Sequence, residues 1–260
     1  MHVVLITNSR TESEFGRISI FWYALVSAAI AMAEKLGIKL TVLSPRRNYN
    51  DVGEFWELVL RAKENPDCDC LIMPFMAGSP ELVGLINQLT CKLIIINTPP
   101  TPYWNMQITK PYLYVGSSGE KIMGELAAEK ILEFDPNEVA IIKHLEIHEG
   151  LSQRILEIEK ILYSKGVSVS VIPCYNDEDR DIGIKHIISL GPVGSAYALR
   201  NAKNPVIVAM DKSDDACESL KEHGAVKAII FQDPEDQGRK AIEATLGGEG
   251  STIYPRVITA

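Results

Sequence analysis

Short runs of apolar and β-branched residues alternate along the chain with longer segments whose apolar positions recur at helical spacing. His2-Val3-Val4-Leu5-Ile6 opens the series as a strand over 2–7, and after a polar loop a helix is predicted over about 20–36. A strand over 39–43 comes next, then a helix over 51–63 with Phe55, Leu58 and Val59 on one face. A strand over 70–74 and a helix over 81–89, announced by Gly78-Ser79-Pro80, complete a third unit. The segment 92–97 contains Leu-Ile-Ile-Ile, the unbroken apolar run expected of a strand covered on both faces.

Pro99, Pro100, Pro102 and Pro111 then crowd one short window. Proline disfavours both helix and ladder hydrogen bonds, so this stretch reads as a crossing between two lobes. The alternation restarts with a strand over 112–115, a helix over 120–133, a strand over 139–143 and a helix over 152–165 closed by Gly166. Further strands are predicted over 167–172, 206–210 and 228–231, with 184–190 pairing beside them and a helix at about 215–222. A last helix over 234–246 leads through Gly247-Gly248 to a strand over 253–257. Strand–helix alternation of this kind implies βαβ units and an α/β fold with parallel sheets. The two halves resemble each other in organisation, and ligands of open parallel sheets sit outside the carboxyl ends of the strands.

Composition narrows the functional classes. The chain has 260 residues, 46% hydrophobic and 23% charged, with a formal net charge of -8, which argues against a nucleic-acid surface or an anionic membrane as partner. No stretch of about 18 uninterrupted apolar residues suggests a membrane span. No signal peptide precedes the first strand, so the chain is expected to be either cytoplasmic or a mature form. The five cysteines, an odd number, lean towards a reducing setting, and Cys68-Asp69-Cys70 lacks a second Cys/His pair for zinc. Glycine-rich phosphate loops and a G-x-S-x-G elbow are missing from the sequence, so no cofactor is expected. His144 and His148 stand four apart but not in zinc-protease order, and no metal is expected there. The acid pairs Asp214-Asp215 and Glu235-Asp236 sit at helix starts, where the helix dipole explains them more simply than catalysis does.

Several segments, taken in order, resemble the type I periplasmic binding proteins, the ribose-binding group of solute receptors. Tyr114-Val115-Gly116-Ser117-Ser118-Gly119 followed by Gly124-Glu125-Leu126-Ala127-Ala128 is similar to the opening of that family's second lobe. Arg154 sits where the family places a ligand-binding arginine, and 206–211 resembles its strand ending in an aspartate. Phe231-Gln232-Asp233-Pro234 is similar to its hinge segment. Phe21-Trp22, and the strand ending in Asn97 before the prolines, are most similar to the autoinducer-2 receptor subgroup. Where sugar-binding members carry Asn-Asp this chain has Gly191-Pro192, and where many carry Asp-Arg it has Thr98-Pro99.

The resemblance implies two similar Rossmann-like lobes with parallel sheets joined by a three-strand hinge. One lobe would comprise 1–108 with 234–254, the other 109–233 with 255–260. It also implies a ligand set of Arg17, Ser19, Phe21, Trp22, Asn97, Arg154, Asp211 and Gln232, and a monomeric receptor without catalytic residues. The receptor would close on a small polar, sugar-like ligand and present it to an ABC permease or a sensor histidine kinase in the periplasm. The residue types suit that task. Asn97 and Gln232 each offer a donor and an acceptor, matching a hydroxyl's dual character. Arg154 supplies a planar fork for two oxygens, of a polyol, a carboxylate or a phosphate. Trp22 has the flat apolar face that a sugar ring's C–H surface needs, and is also placed to be plain core. Two alternatives stay open: a cytoplasmic effector-binding regulator of the same fold, and a hydrolase or isomerase using His144, His148 and Glu149.

Overall fold

A computed structural model describes residues 1–7, 20–45, 52–75, 78–97, 99–117, 119–144, 149–174 and 181–259. In chain order the elements are β1 (His2–Ile6), α1 (Ile20–Lys35), β2 (Lys39–Leu43), α2 (Val52–Glu64), β3 (Cys70–Met73), α3 (Pro80–Asn87), β4 (Lys92–Ile96), α4 (Pro102–Asn105) and β5 (Tyr112–Ser117). They continue with α5 (Glu120–Leu132), β6 (Glu138–His144), α6 (Glu149–Ser164), β7 (Ser168–Cys174), β8 (His186–Leu190) and α7 (Gly191–Asn201). The last are β9 (Val206–Met210), α8 (Asp214–Lys221), β10 (Val226–Phe231), α9 (Pro234–Thr245), β11 (Ser251–Ile253) and β12 (Arg256–Thr259). They form two compact units, Met1–Ser117 with Asp233–Ile253 and Ser118–Gln232 with Tyr254–Ala260.

The first unit holds a six-stranded sheet in the order β11-β5-β4-β3-β1-β2, parallel at every pairing. Its central strands have buried side chains on both sides, which is why β3 and β4 read as unbroken apolar runs. Alternation then deals those side chains to two cores. Ile94 and Ile96 pack with Trp22, Leu25 and Ala29 of α1 and Ala241 and Ile242 of α9. Leu93 and Ile95 pack on the other face with Phe55, Leu58 and Val59 of α2 and Leu82 and Ile86 of α3. The predicted apolar face of α2 is therefore the face it buries.

The second unit repeats the plan in the order β12-β10-β9-β8-β6-β7, parallel except where β12 pairs antiparallel to β10. Met123 and Ala127 of α5 and Ile158 and Leu162 of α6 cover one face, and Tyr197 and Ala198 of α7 and Leu220 of α8 the other. Each unit also contains a helix crossing that only glycine permits. A Cβ at Gly238 of α9 would collide with the Leu25 carbonyl of α1, and one at Gly124 of α5 would lie 2.7 Å from the Arg154 carbonyl oxygen of α6. The Gly124-x-x-Ala127-Ala128 motif is thus a packing surface on which α6 rests.

Three expectations need revision, and one helix was not anticipated. The strand at Tyr112, expected to begin the second lobe, instead pairs with β4 in the first sheet, and the chain passes between units at Ser117/Ser118. The proline-rich window contains the short helix α4, because Pro102 sits at its first turn, where no amide donor is needed. The same logic makes Gly191-Pro192 the start of α7. The single strand expected over 253–257 is two strands separated at Tyr254-Pro255, β11 in the first sheet and β12 in the second.

Candidate functional site

Four side chains of the second unit form one cluster that includes a buried cation. Arg154 lies in the second turn of α6 and is 3% exposed, an unusual position for a guanidinium. Its Nε donates to Glu120 Oε2, and its Nη1 donates to Asp211 Oδ2 at 2.9 Å. Gln232 Nε2 donates to Glu120 Oε1 at 3.0 Å, extending the chain of contacts to the end of β10. Burial pulls the Arg154 guanidinium down, but the Asp211 and Glu120 carboxylates overturn that and hold it above its ordinary value. It is charged under all working conditions.

The local sequence explains how each group arrives there. Asp211 follows the last residue of β9 in the left-handed region, φ 71°, a conformation that aspartate tolerates better than most residues. Its amide donates to the Ile230 carbonyl at 2.7 Å, which fixes the turn against β10. Glu120 is the first residue of α5, set there by Gly119 at φ 124°, a conformation natural only to glycine. Gln232 is buried between β10 and the N-cap Asp233, whose carboxylate accepts from the Asp236 amide at 3.2 Å. The side chains of Glu120 and Asp211 are 24% and 31% exposed, so the cluster reaches solvent through its acids. With one cation and two carboxylates, its formal charge is one unit negative.

The first unit places its expected residues differently. Asn97 follows β4, also left-handed at φ 61°, and its carbonyl accepts from the Tyr114 hydroxyl at 2.9 Å. Left-handed non-glycine residues cost about 1–3 kcal/mol and concentrate at functional positions. Asn97 and Asp211 share this conformation with Asp135, Asn204, His223 and Asp233. Trp22 is 3% exposed in the α1–α9 core, with half-buried Phe21 edge-on at 5.5 Å and 78°. Its ring is packing against protein throughout the described structure. Arg17, Ser19, Thr98 and His148 lie outside the described residues. Among the described residues, no group of three or more His, Cys, Asp or Glu side chains is placed to hold a metal ion.

Known structures match this architecture along the whole chain. A solute-binding protein of an ABC transporter from Actinobacillus succinogenes, with bound D-allose, superposes with a TM-score of 0.81 at 14% identity, covering 99% of this chain and 97% of its own. The chain has the type I periplasmic binding protein fold. Two further structures with this fold are similar over nearly their full lengths. A glucose–galactose binding protein from Geobacillus stearothermophilus gives a TM-score of 0.70 at 18% identity, covering 99% and 96% of the two chains. A protein assigned as a LacI transcriptional regulator, from Bacteroides fragilis, gives 0.75 at 14%, covering 99% and 97%. No family model matches the sequence, and no curated protein matches it.

Within this fold the structure brings Arg154, Asp211 and Gln232 of the expected ligand set into one cluster. Glu120 joins them and was not anticipated. Its signal was weak, because an acid in the first turn of a helix is ordinarily a partner of the helix dipole.

Proposed function

We propose that this protein is a non-enzymatic solute-binding receptor for a small neutral polyhydroxyl ligand of the monosaccharide class. The observation that carries the reading is the buried Arg154 held between Glu120 and Asp211 beside the carboxyl ends of a parallel sheet. A polyol is desolvated only when its hydroxyls find partners, and an unmatched buried polar group costs about 1–3 kcal/mol. Asp211 and Glu120 accept from hydroxyls, Gln232 offers both roles, and the Arg154 fork donates. Sugar binding by structural neighbours supports this reading, and a periplasmic location with delivery to an ABC permease or a sensor histidine kinase is part of the proposal.

The charge tally of the described residues, which do not include Arg17, narrows the ligand. An incoming carboxylate or phosphate would compete with two acids that already hold Arg154, and would enter a cluster of net negative charge. Lys212, the neighbouring cation, stands over the Phe231 ring at 3.8 Å to its centroid. Neutral sugars are therefore favoured over uronates and sugar phosphates. Calorimetry against a panel of neutral aldoses, the matching uronic acids and autoinducer-2 tests both points. A neutral aldose is expected to bind at least about tenfold more tightly than its uronate, and Glu120→Gln should narrow that gap by roughly tenfold. Lack of binding by every neutral aldose would sink the receptor reading, whereas tighter uronate binding would overturn only the charge argument. Sugar recovered unchanged after long incubation is the expected sign of binding without turnover.

The Bacteroides neighbour favours a second reading, a cytoplasmic effector-binding regulator. A leader sequence upstream, with a permease or kinase gene alongside, is expected for the receptor; a DNA-binding segment joined to this chain is expected for the regulator.

A further inference from the structure

The first unit carries a second chemical feature, away from the Arg154 cluster. Cys68 and Cys91 stand at the starts of the adjacent parallel strands β3 and β4, whose register pairs Cys70 with Lys92 and whose entrances are pinned by Lys92 N–H donating to the Asp69 carbonyl at 3.0 Å. Strict alternation would send Cys68 to the same face as Cys70, which is buried in the α1–α9 core. It does not go there. A turn at Asn65, closed by Cys68 N–H to the Asn65 carbonyl at 3.1 Å, swings Cys68 to the opposite face. There it packs with Cys91 against the α2–α3 core, and its thiol donates to the Cys70 carbonyl at 3.5 Å. Both thiols are partly exposed, while Cys70 is buried.

We propose that Cys68 and Cys91 are a dithiol–disulfide pair, oxidised by exchange with a small external disulfide. The Cys91 thiolate attacks one sulfur of the oxidant R–S–S–R, forming a mixed disulfide and expelling one thiolate, which takes up a proton. The Cys68 thiol then loses its proton and attacks the Cys91 sulfur, closing Cys68–Cys91 and expelling the second thiol. One external disulfide is reduced to two thiols as two protein thiols are oxidised, so atoms and electrons balance. The roles follow from the surroundings. The neighbouring Cys68 thiol, helped by the Lys110 charge and opposed by burial, lowers Cys91 to about 7, which suits it as the attacking thiol. The same contact, then burial, pushes the Cys68 thiol up, as suits the second partner. Burial pushes Cys70 up to about 12 and leaves it inert.

The test is thiol mapping of the full chain. Reduced protein is incubated with oxidised glutathione, denatured, alkylated and digested. The expected result is a Cys68–Cys91 linked peptide, with Cys70, Cys174 and Cys217 alkylated, and a melting temperature raised by roughly 5–10 °C from closing a loop of about twenty residues. Cys68→Ser should stop at a stable glutathione adduct on Cys91, and Cys91→Ser should form neither product. Five alkylated cysteines in the wild type, a linkage through Cys70, or an adduct on Cys91 that never resolves would each overturn the proposal.

Discussion

Substituting alanine for Arg154 is expected to weaken binding of the preferred neutral aldose by about 10²–10⁴-fold while the chain remains folded. The magnitude follows from two charge-assisted hydrogen bonds to the ligand, each contributing about 1.5–3 kcal/mol. Arg154 is buried, so its loss also bears on stability. Breaking a buried ion pair typically costs about 3–5 kcal/mol, because a charge is stranded without water. Here the groups left behind are Glu120 and Asp211, 24% and 31% exposed, and water reaches both. The stability loss should therefore be nearer 1–3 kcal/mol. Arg154→Lys separates charge from shape, since an ammonium keeps the charge but cannot hold Glu120, Asp211 and a ligand oxygen from one plane. An affinity between those of the wild type and the alanine variant is expected. Calorimetry alongside urea denaturation measures both quantities, and an affinity within about threefold of wild type for Arg154→Ala would remove Arg154 from the site.

Gly124→Ala should be nearly as disruptive, although it adds only a methyl group. The new Cβ would lie 2.7 Å from the Arg154 carbonyl oxygen, 3.2 Å from Glu157 Cβ and 3.3 Å from Arg154 Cα. A flexible side-chain tip could move aside; a helix backbone cannot, so α6 must shift as a body. Overpacking of this kind costs about 1–3 kcal/mol. Because Arg154 rides on the displaced turn, affinity should fall as well, by roughly tenfold or more. Gly84→Ala in α3 is the matched control, since its Cβ would meet nothing within 4 Å. There the lower helix cost of alanine should leave stability unchanged or raised by about 0.5–1 kcal/mol. Equal melting temperatures for the two variants would show that the α5–α6 crossing has room to spare.

Much of this fold could be read from periodicity, because the strands are doubly buried and the helices one-sided. The apolar run that ends at Ile96 and the face made by Phe55, Leu58 and Val59 leave little choice of element. What periodicity does not hold is which sheet a strand joins. Tyr112–Ser117 belongs to the first unit because it pairs with β4, a contact the local proline content does not reveal. Pro102, read as part of a helix-disfavouring window, opens a helix, and Pro192 opens another over a stretch to which periodicity assigned no element. At the site, Arg154, Asp211 and Gln232 were legible through family resemblance rather than local chemistry. Glu120 was hidden in plain view, since only the folded chain shows its carboxylate turned to Arg154 and Gln232 instead of serving the dipole. Trp22 shows the converse, an aromatic at a promising position that the core of the first unit absorbs.

The docking of α9 on α1 has a consequence for synthesis. The strip of α1 formed by Trp22, Leu25 and Ala29 is made early, yet its covering residues Gly238, Ala241 and Ile242 leave the ribosome some two hundred residues later. Residues 118–232, which lack only the edge strand β12, are complete before then. The later-made unit is thus expected to acquire structure first, while the earlier-made one waits with an apolar helix bare. A chain ended at Gln232 should accordingly show slow hydrogen exchange in β6, β8, β9 and β10 and fast exchange in β1, β3 and β4. That late closing helix therefore sets when the first unit can complete its core.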